Sequence, residues 1–340
     1  MKDLFNKLLV LRTPGIGPAK YNELIRKFGD IYSVVSFLSN DEKIKDLVNR
    51  ELEIAQKLGI IYLSDDNPLY PENLRKIKNH PPVLTVRGNV SVFNKSAVSM
   101  VGTRHATGAG IRFMSDLAES FAKNEYVIVS GMAMGTDTAA HRGSLKVSGD
   151  SQTIAVLAGG VDNIWPLENE YLYSEIIERG AIISEMPIGM TPMAKNFIQR
   201  NHWIAGLSDK LILGEADLKS GSMTTARFAI EYNRDVWAIP SHPMDSRSAG
   251  PNSLIKEGLA NLCSGPQDFF NMNQNITKNK NNCSEKEIEN DLLDKLGVIP
   301  VSESVLAELV KKSISEIKSD LVVLELQGLI AKQNGGYVKL

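Results

Sequence analysis

At 340 residues the chain is too long for one small core, and two or three domains are expected. A net charge of −2 and a pI near 6.3 exclude a global basic field, so any nucleic-acid surface has to be local. Two cysteines, Cys263 and Cys283, exclude a disulfide framework, and no apolar run is long enough to span a bilayer; together these predict a cytoplasmic protein.

Residues 1–62 read as a small helical domain, with apolar periodicity in FNKLLVL, YNELIRKFG and a charged stretch ending in AQKL. Between the first two lies Thr13-Pro14-Gly15-Ile16-Gly17-Pro18-Ala19-Lys20. It resembles the turn of a helix–hairpin–helix, whose amides hold DNA phosphates; a compact turn inside a helical domain is the plainer reading. A connector rich in Asp, Asn and Pro follows, and residues 81–89 read as an edge strand closed by a turn.

From residue 96 the pattern becomes strand, glycine turn and helix, four times over. SAVSMV (96–101) is followed by Gly102-Thr103-Arg104 and a helix ending at 123. Val127-Ile128-Val129 is dense enough for a strand buried on both faces; its turn runs from Gly131 through Met134 to Gly135, and Thr136 and Asp137 open an Ala-rich helix. TIAVLAGG (153–160) is the third unit. In the fourth, KLILGEA (210–216) leads to Ser220-Gly221-Ser222 ahead of a helix over 226–233. The series predicts an α/β fold, a Rossmann-like doubly wound parallel sheet over 63–270, with its ligand crevice at the strand C-termini. Free amides at each helix N-terminus suit phosphate, and the fork of Arg104 could hold one with two bonds.

Between the third and fourth units, residues 191–207 combine Lys195, Asn196, Arg200 and Asn201 with Phe197, His202 and Trp203. Cations interleaved with rings are what a single-stranded nucleic acid needs, since every base offers a π-face and every linkage a charge. Trp203, Ile204 and Leu207 are assigned to the core; the polar residues are expected at the crevice mouth. With Arg104, Lys195 and Arg200 each neutralising a phosphate, a salt slope of roughly −2 per subunit is expected.

Residues 271–284, an Asn/Lys tract without apolar period, read as a flexible linker. Over 285–340, helices at 288–296, 305–310 and 314–326 precede two short strands around Gly335-Gly336, which resembles a winged helix. From Lys286 onward seven Lys face nine Asp and Glu, a net of −2, whereas a groove-reading domain is normally basic. A structural or protein-contact role is the better expectation. No nucleoside-triphosphate loop, GxGxxG, HExxH or GxSxG is present, and the five histidines form no ligand-spaced pair. No catalytic residue, metal site or cofactor is expected.

VGTRHATGAG (101–110), SGMAMGTDTAAHRGSL (130–145), TIAVLAGGVDNIWPLEN (153–169), RNHWIAGLSDKLILGEADLKSGSMTTA (200–226) and DVWAIPSHPMDSRSAGPNSLIKEGL (235–259) resemble the DprA/Smf (DNA-processing protein A) family along essentially the whole chain. The resemblance implies a homodimer that binds and protects single-stranded DNA and loads the RecA recombinase onto it in natural transformation, without nucleotide hydrolysis. It places the DNA along Gly102, Thr103 and Arg104, the turn from Gly131 to Gly135, the segment from Lys195 through Asn196, Phe197, Arg200, Asn201 and His202, and Ser220, Gly221 and Ser222. Two positions depart from the family pattern: Met134 stands where arginine is usual, and His202 ends what is usually Arg-Asn-Arg. Each costs a cation. The alternative is a nucleotide hydrolase of a related Rossmann family, for which Glu231 is the only downstream acid in the fourth unit.

Overall fold

The apolar positions before residue 60 recur at helical spacing and form α1 (Lys2–Arg12), α2 (Pro18–Phe28), α3 (Ile31–Phe37) and α4 (Glu42–Leu58). Asp30 and Asp41 cap α3 and α4 by accepting backbone N–H bonds, and Gly59, at φ +65°, closes α4. Leu8, Val10, Tyr21, Leu24, Val34 and Val48 supply the buried side chains of this bundle. It is fastened to the following segment by charge. Lys7 Nζ lies 2.6 Å from Asp65, and Arg12 donates twice, at 2.7 Å each, to buried Glu51, which also accepts from Tyr62 Oη.

The strands are β1 (Ile61–Ser64), β2 (Val83–Gly88), β3 (Ala97–Val101), β4 (Val127–Ser130), β5 (Thr153–Val156), β6 (Ala181–Ser184), β7 (Lys210–Leu213), β8 (Asp235–Ala238) and β9 (Asn261–Leu262). They make one sheet in the order β1-β2-β6-β5-β4-β3-β7-β8-β9, parallel from β6 to β9, with β2 antiparallel to both β1 and β6. The strand expected at an edge is therefore an inner one, bonded on both sides. Its four consecutive buried residues, Val83 to Val86, carry the inner-strand pattern that the flanking prolines hid.

The connecting helices are α5 (Glu72–Arg75), α6 (Gly108–Lys123), α7 (Thr136–Leu145), α8 (Glu170–Arg179), α9 (Ala194–Leu207), α10 (Gly221–Glu231) and α11 (Ala249–Lys256). Alternate strand residues divide between two layers, as the period of two requires. Val101, Val129, Val156, Ile183 and Leu213 share a core with Leu74, Trp203, Leu207 and Ala226. On the other face Met100, Ile128 and Ile212 meet Met114, Phe121 and Ala139, while Ala155 and Ile182 meet Leu172 and Ile176. Each fully buried branched side chain contributes about 1.5–3 kcal/mol. Helices on both faces make the sheet doubly wound, and its order reverses between β3 and β7, where a crevice is forced open.

Residues 2–38, 41–149, 152–270, 291–326, 328–333 and 335–340 are described by this computed structural model, and the chain divides into two units, 1–271 and 272–340. The second holds α12 (Asp291–Asp294), α13 (Glu303–Leu309), α14 (Ile314–Leu326) and the hairpin of β10 (Ile330–Gln333) and β11 (Gly336–Lys339). Leu292, Leu306, Ile317, Leu321, Leu324, Ile330 and Tyr337 form its core, and the arrangement is a winged helix. The expected linker over 271–284, Cys283 and the start of the expected helix at 288 lie outside the described residues.

Candidate nucleic-acid interface

The loop after β3 is held from several sides. Thr103 N–H donates to the Glu215 carbonyl at 2.6 Å, and Thr107 N–H donates to the Glu215 carboxylate at 2.7 Å. The Thr107 hydroxyl donates to the other carboxylate oxygen and accepts from Gly110 N–H at 2.9 Å, capping α6. A Cβ on Gly110 would stand 2.7 Å from the Glu215 carboxyl carbon. This corrects one expectation: the N-terminus of α6 offers no vacant phosphate seat, because a carboxylate of the same chain sits there. Arg104, midway along the loop, is exposed, and its guanidinium carbon lies 5.0 Å from the Trp165 ring centre and 5.7 Å from that of Phe197.

The turn after β4 is packed on that loop. Thr136 N–H donates to the Thr103 carbonyl, and Gly135, at φ +76°, lies so close that a Cβ would stand 2.5 Å from the Arg104 carbonyl oxygen. A Cβ at Gly102 would meet Thr136 Oγ1 at 2.6 Å. The resemblance implies DNA along the turn from Gly131, but the space beside Gly131 is taken by Arg200. That guanidinium is buried, 3.8 Å from the Asp137 carboxylate. Burial pushes Arg200 down and Asp137 up from their usual ranges, and each charge opposes the shift of the other. Asp137 also accepts from Ala133 N–H, so the N-terminus of α7 has its own acid.

Gly131, Leu157, Ala158, Gly159, Asn163, Trp165, Pro192, Phe197 and Arg200 line a small cleft at the C-terminal ends of β4 and β5. Phe197 is half-buried and meets Trp165 edge-on at 4.8 Å, and the Arg200 guanidinium lies 5.7 Å from its ring centre. Cation and ring therefore alternate: Arg200, Phe197, Arg104, Trp165. Lys195 is exposed two residues before Phe197, and Met134 is 42% exposed at the tip of its turn. Asn196 and Arg200, expected at the mouth, are only 4% and 6% exposed. Helical spacing explains it, since Asn196, Arg200, Trp203 and Leu207 fall on one face and that face is the buried one. Asn196 Nδ2 and Arg200 Nε have no acceptor among the described residues.

His202 turns away from the cleft. Its ring stacks on Phe228 at 3.4 Å and its Nδ1 meets Tyr232 Oη at 2.6 Å, so it joins α9 to α10. Asn201 does likewise, donating to the Gly221 carbonyl at 3.2 Å. Ser220 caps α10 through Met223 N–H and meets Ser222 Oγ at 2.9 Å; Ser220, Gly221 and Ser222 lie beside α9 and outside the cleft lining. Glu231 ends α10, about 16 Å along the axis from Ser220, too far to serve the fourth turn as an acid. His141 is buried, its Nδ1 2.7 Å from Thr153 Oγ1, and burial pushes it down to about 3. Among the described residues no cluster of His, Cys, Asp and Glu could hold a metal ion, and no helix is long and apolar enough to cross a membrane.

Trp165, Asn163 and Glu215 were missed as site residues. Trp165 stands inside the stretch 153–169 that carries the family resemblance, and an aromatic five residues past Gly159-Gly160 is the available signal for it. Glu215 gave none, because its partner Thr107 is 108 positions away.

Fold and site define a doubly wound α/β protein whose crevice bears alternating guanidinium and aromatic groups, with a winged helix in the same chain. A family model described as DNA recombination-mediator protein A matches residues 60–274, and one described as the DprA winged helix domain matches 278–336. The chain belongs to the DNA recombination-mediator protein A (DprA/Smf) family. Protein Smf of Escherichia coli K12 is 34% identical over 287 residues, 81% of this chain and 76% of that protein. Protein Smf of Synechocystis is 37% identical over 254 residues, and the match spans only 57% of its length. The X-ray structure of DNA processing protein A from Streptococcus pneumoniae superposes with a TM-score of 0.67 at 30% identity, covering 78% of this chain and 96% of that one. A structure of DNA processing protein A from Helicobacter pylori, described for its single-stranded DNA binding mode, gives 0.57 at 32% identity, covering 62% and 94%.

Proposed function

We propose that this chain binds single-stranded DNA in the cleft beneath Arg104, protects the strand and loads a RecA-type recombinase onto it, acting as a cytoplasmic homodimer that hydrolyses no nucleotide. The observation that carries the reading is the exposed Arg104 lying over the rings of Trp165 and Phe197, a cation for phosphate beside aromatic groups for bases. The relative from Helicobacter pylori, described for such binding, supports it. Arg104 and Lys195 stand at the mouth and meet phosphate, while Arg200 and Asn196 form the floor. With two cations at the mouth instead of three, the salt slope becomes roughly −1.4, at −0.7 per contact.

Filter binding of labelled single strands and duplex, without ATP, across a salt series tests this. Strong preference for single strands with that slope is expected; equal affinity for duplex, or no dependence on salt, refutes it. Recombinase loading is read separately, as filament nucleation on strands precoated with a single-strand-binding protein.

A further inference from the structure

Arg104 is the cation on which the cleft depends, yet the loop that carries it has no regular structure of its own. What fixes it is the end of β7. Glu215 is 8% exposed and holds the loop at both ends: its carbonyl takes Thr103 N–H, and its carboxylate takes Thr107 N–H and hydroxyl. Arg247 adds a third strap. It donates through Nη1 to the His105 carbonyl at 3.2 Å while Asp245 holds its other nitrogens at 2.7 and 2.9 Å. Ala216 N–H in turn donates to the Arg247 carbonyl at 2.6 Å, so the two straps are one assembly. Thr103 and His105, the residues on either side of Arg104, are thus both tied through their backbones, and exposed Arg104 is carried between them.

From this geometry we infer that Glu215 is a positioning residue for single-strand binding, aiming Arg104 over Trp165 and Phe197 with Arg247 as its second fastening. The inference rests on the proposed DNA cleft, but it makes a claim of its own: removing a negative charge should weaken binding of a polyanion. Simple electrostatics points the other way, since loss of an acid near the site should strengthen it.

The test is filter binding of a labelled oligothymidylate across a salt series, on the full chain, with thermal unfolding as the folding control. Glu215→Ala is expected to lower affinity about tenfold and to flatten the salt slope by about 0.7, the loss of one phosphate contact. Arg104→Ala should do the same, and the double variant should be no worse than either, because both remove one contact. Glu215→Gln, which still accepts from Thr107 N–H, should recover most of the affinity. Arg247→Ala and Thr107→Val each cut one strap and leave Glu215 in place; both should reproduce the flattened slope more weakly, and they carry the test if Glu215→Ala does not fold.

Straps cut in folded protein with affinity and slope unchanged, or additive losses in the double variant, would overturn the inference while leaving the DNA cleft intact. If the unaltered chain shows no preference for single strands, it is the proposed function that fails.

Discussion

The Arg200 guanidinium occupies the space where a side chain on Gly131 would begin: a Cβ there would stand 1.1 Å from Nη1. The floor of the cleft is therefore made by two elements that must be matched, the turn after β4 and the second turn of α9. Gly131→Ala should drive the guanidinium off Asp137 and leave a buried carboxylate without its counter-charge. A loss of about 3 kcal/mol is expected, together with weaker single-strand binding, because the displaced side chain enters the cleft. Urea unfolding and filter binding on the same sample check both.

Arg104→Glu should nearly abolish single-strand binding, since it removes the outer cation and adds repulsion. Phe197→Ala and Trp165→Ala should each cost about 1–3 kcal/mol of binding while leaving the salt slope unaltered, because no charge changes. A salt series on the three variants separates charge from stacking.

Met134 stands at the tip of a turn that packs directly on the Arg104 loop, and its side chain is partly in water. A guanidinium fits there without entering the core. Met134→Arg should tighten binding and steepen the salt slope by about 0.7, one added phosphate contact. An unchanged slope would show that this turn does not face the strand.

Deleting residues 285–340 should leave single-strand affinity within a few-fold. The cleft residues all lie in the first unit, and the deleted part holds seven Lys against ten Asp and Glu, so it carries no basic excess. Loss of most affinity on truncation would assign the winged helix a direct part in DNA binding.

Glu185 follows β6, and its Oε1 is buried without a partner among the described residues; burial pushes the carboxyl up to about 7. In the unfolded chain it ionises near 4.5, so between these values only the folded state keeps the proton. Stability should fall as pH rises through that window, with the whole cost present above 7. Glu185→Gln should remove the dependence, adding about 1–3 kcal/mol at pH 8 and little near pH 4.5. Urea midpoints of both proteins at the two pH values decide it.

The four strand–glycine–helix units were legible because an apolar run stopping at a glycine is a local pattern, and Arg104 and Phe197 could be read beside them. The strands β6 and β8 were not. Each is as short as β4, β5 and β7, but AIIS runs into Glu185-Met186-Pro187 and DVWA into Ile239-Pro240, so neither stops at a glycine. For α9 the signal was present: Asn196 and Arg200 precede Trp203 and Leu207 at spacings of four, three and four, which is the buried stripe. Their polarity obscured it. The roles of Glu215 and Gly131 depend on side chains brought together from 69 or more positions away, and no local reading contains them.

Arg104 lies over both rings. The cleft thus shows water a hydrated charge, not a bare pair of aromatic faces to which another copy could adhere. An incoming base and phosphate would have to trade places with that cation, drawing it from ring to backbone. The same residue that recruits the strand would then also guard the protein against clumping while none is bound, and Arg104→Ala should show its second effect as loss of solubility on concentration.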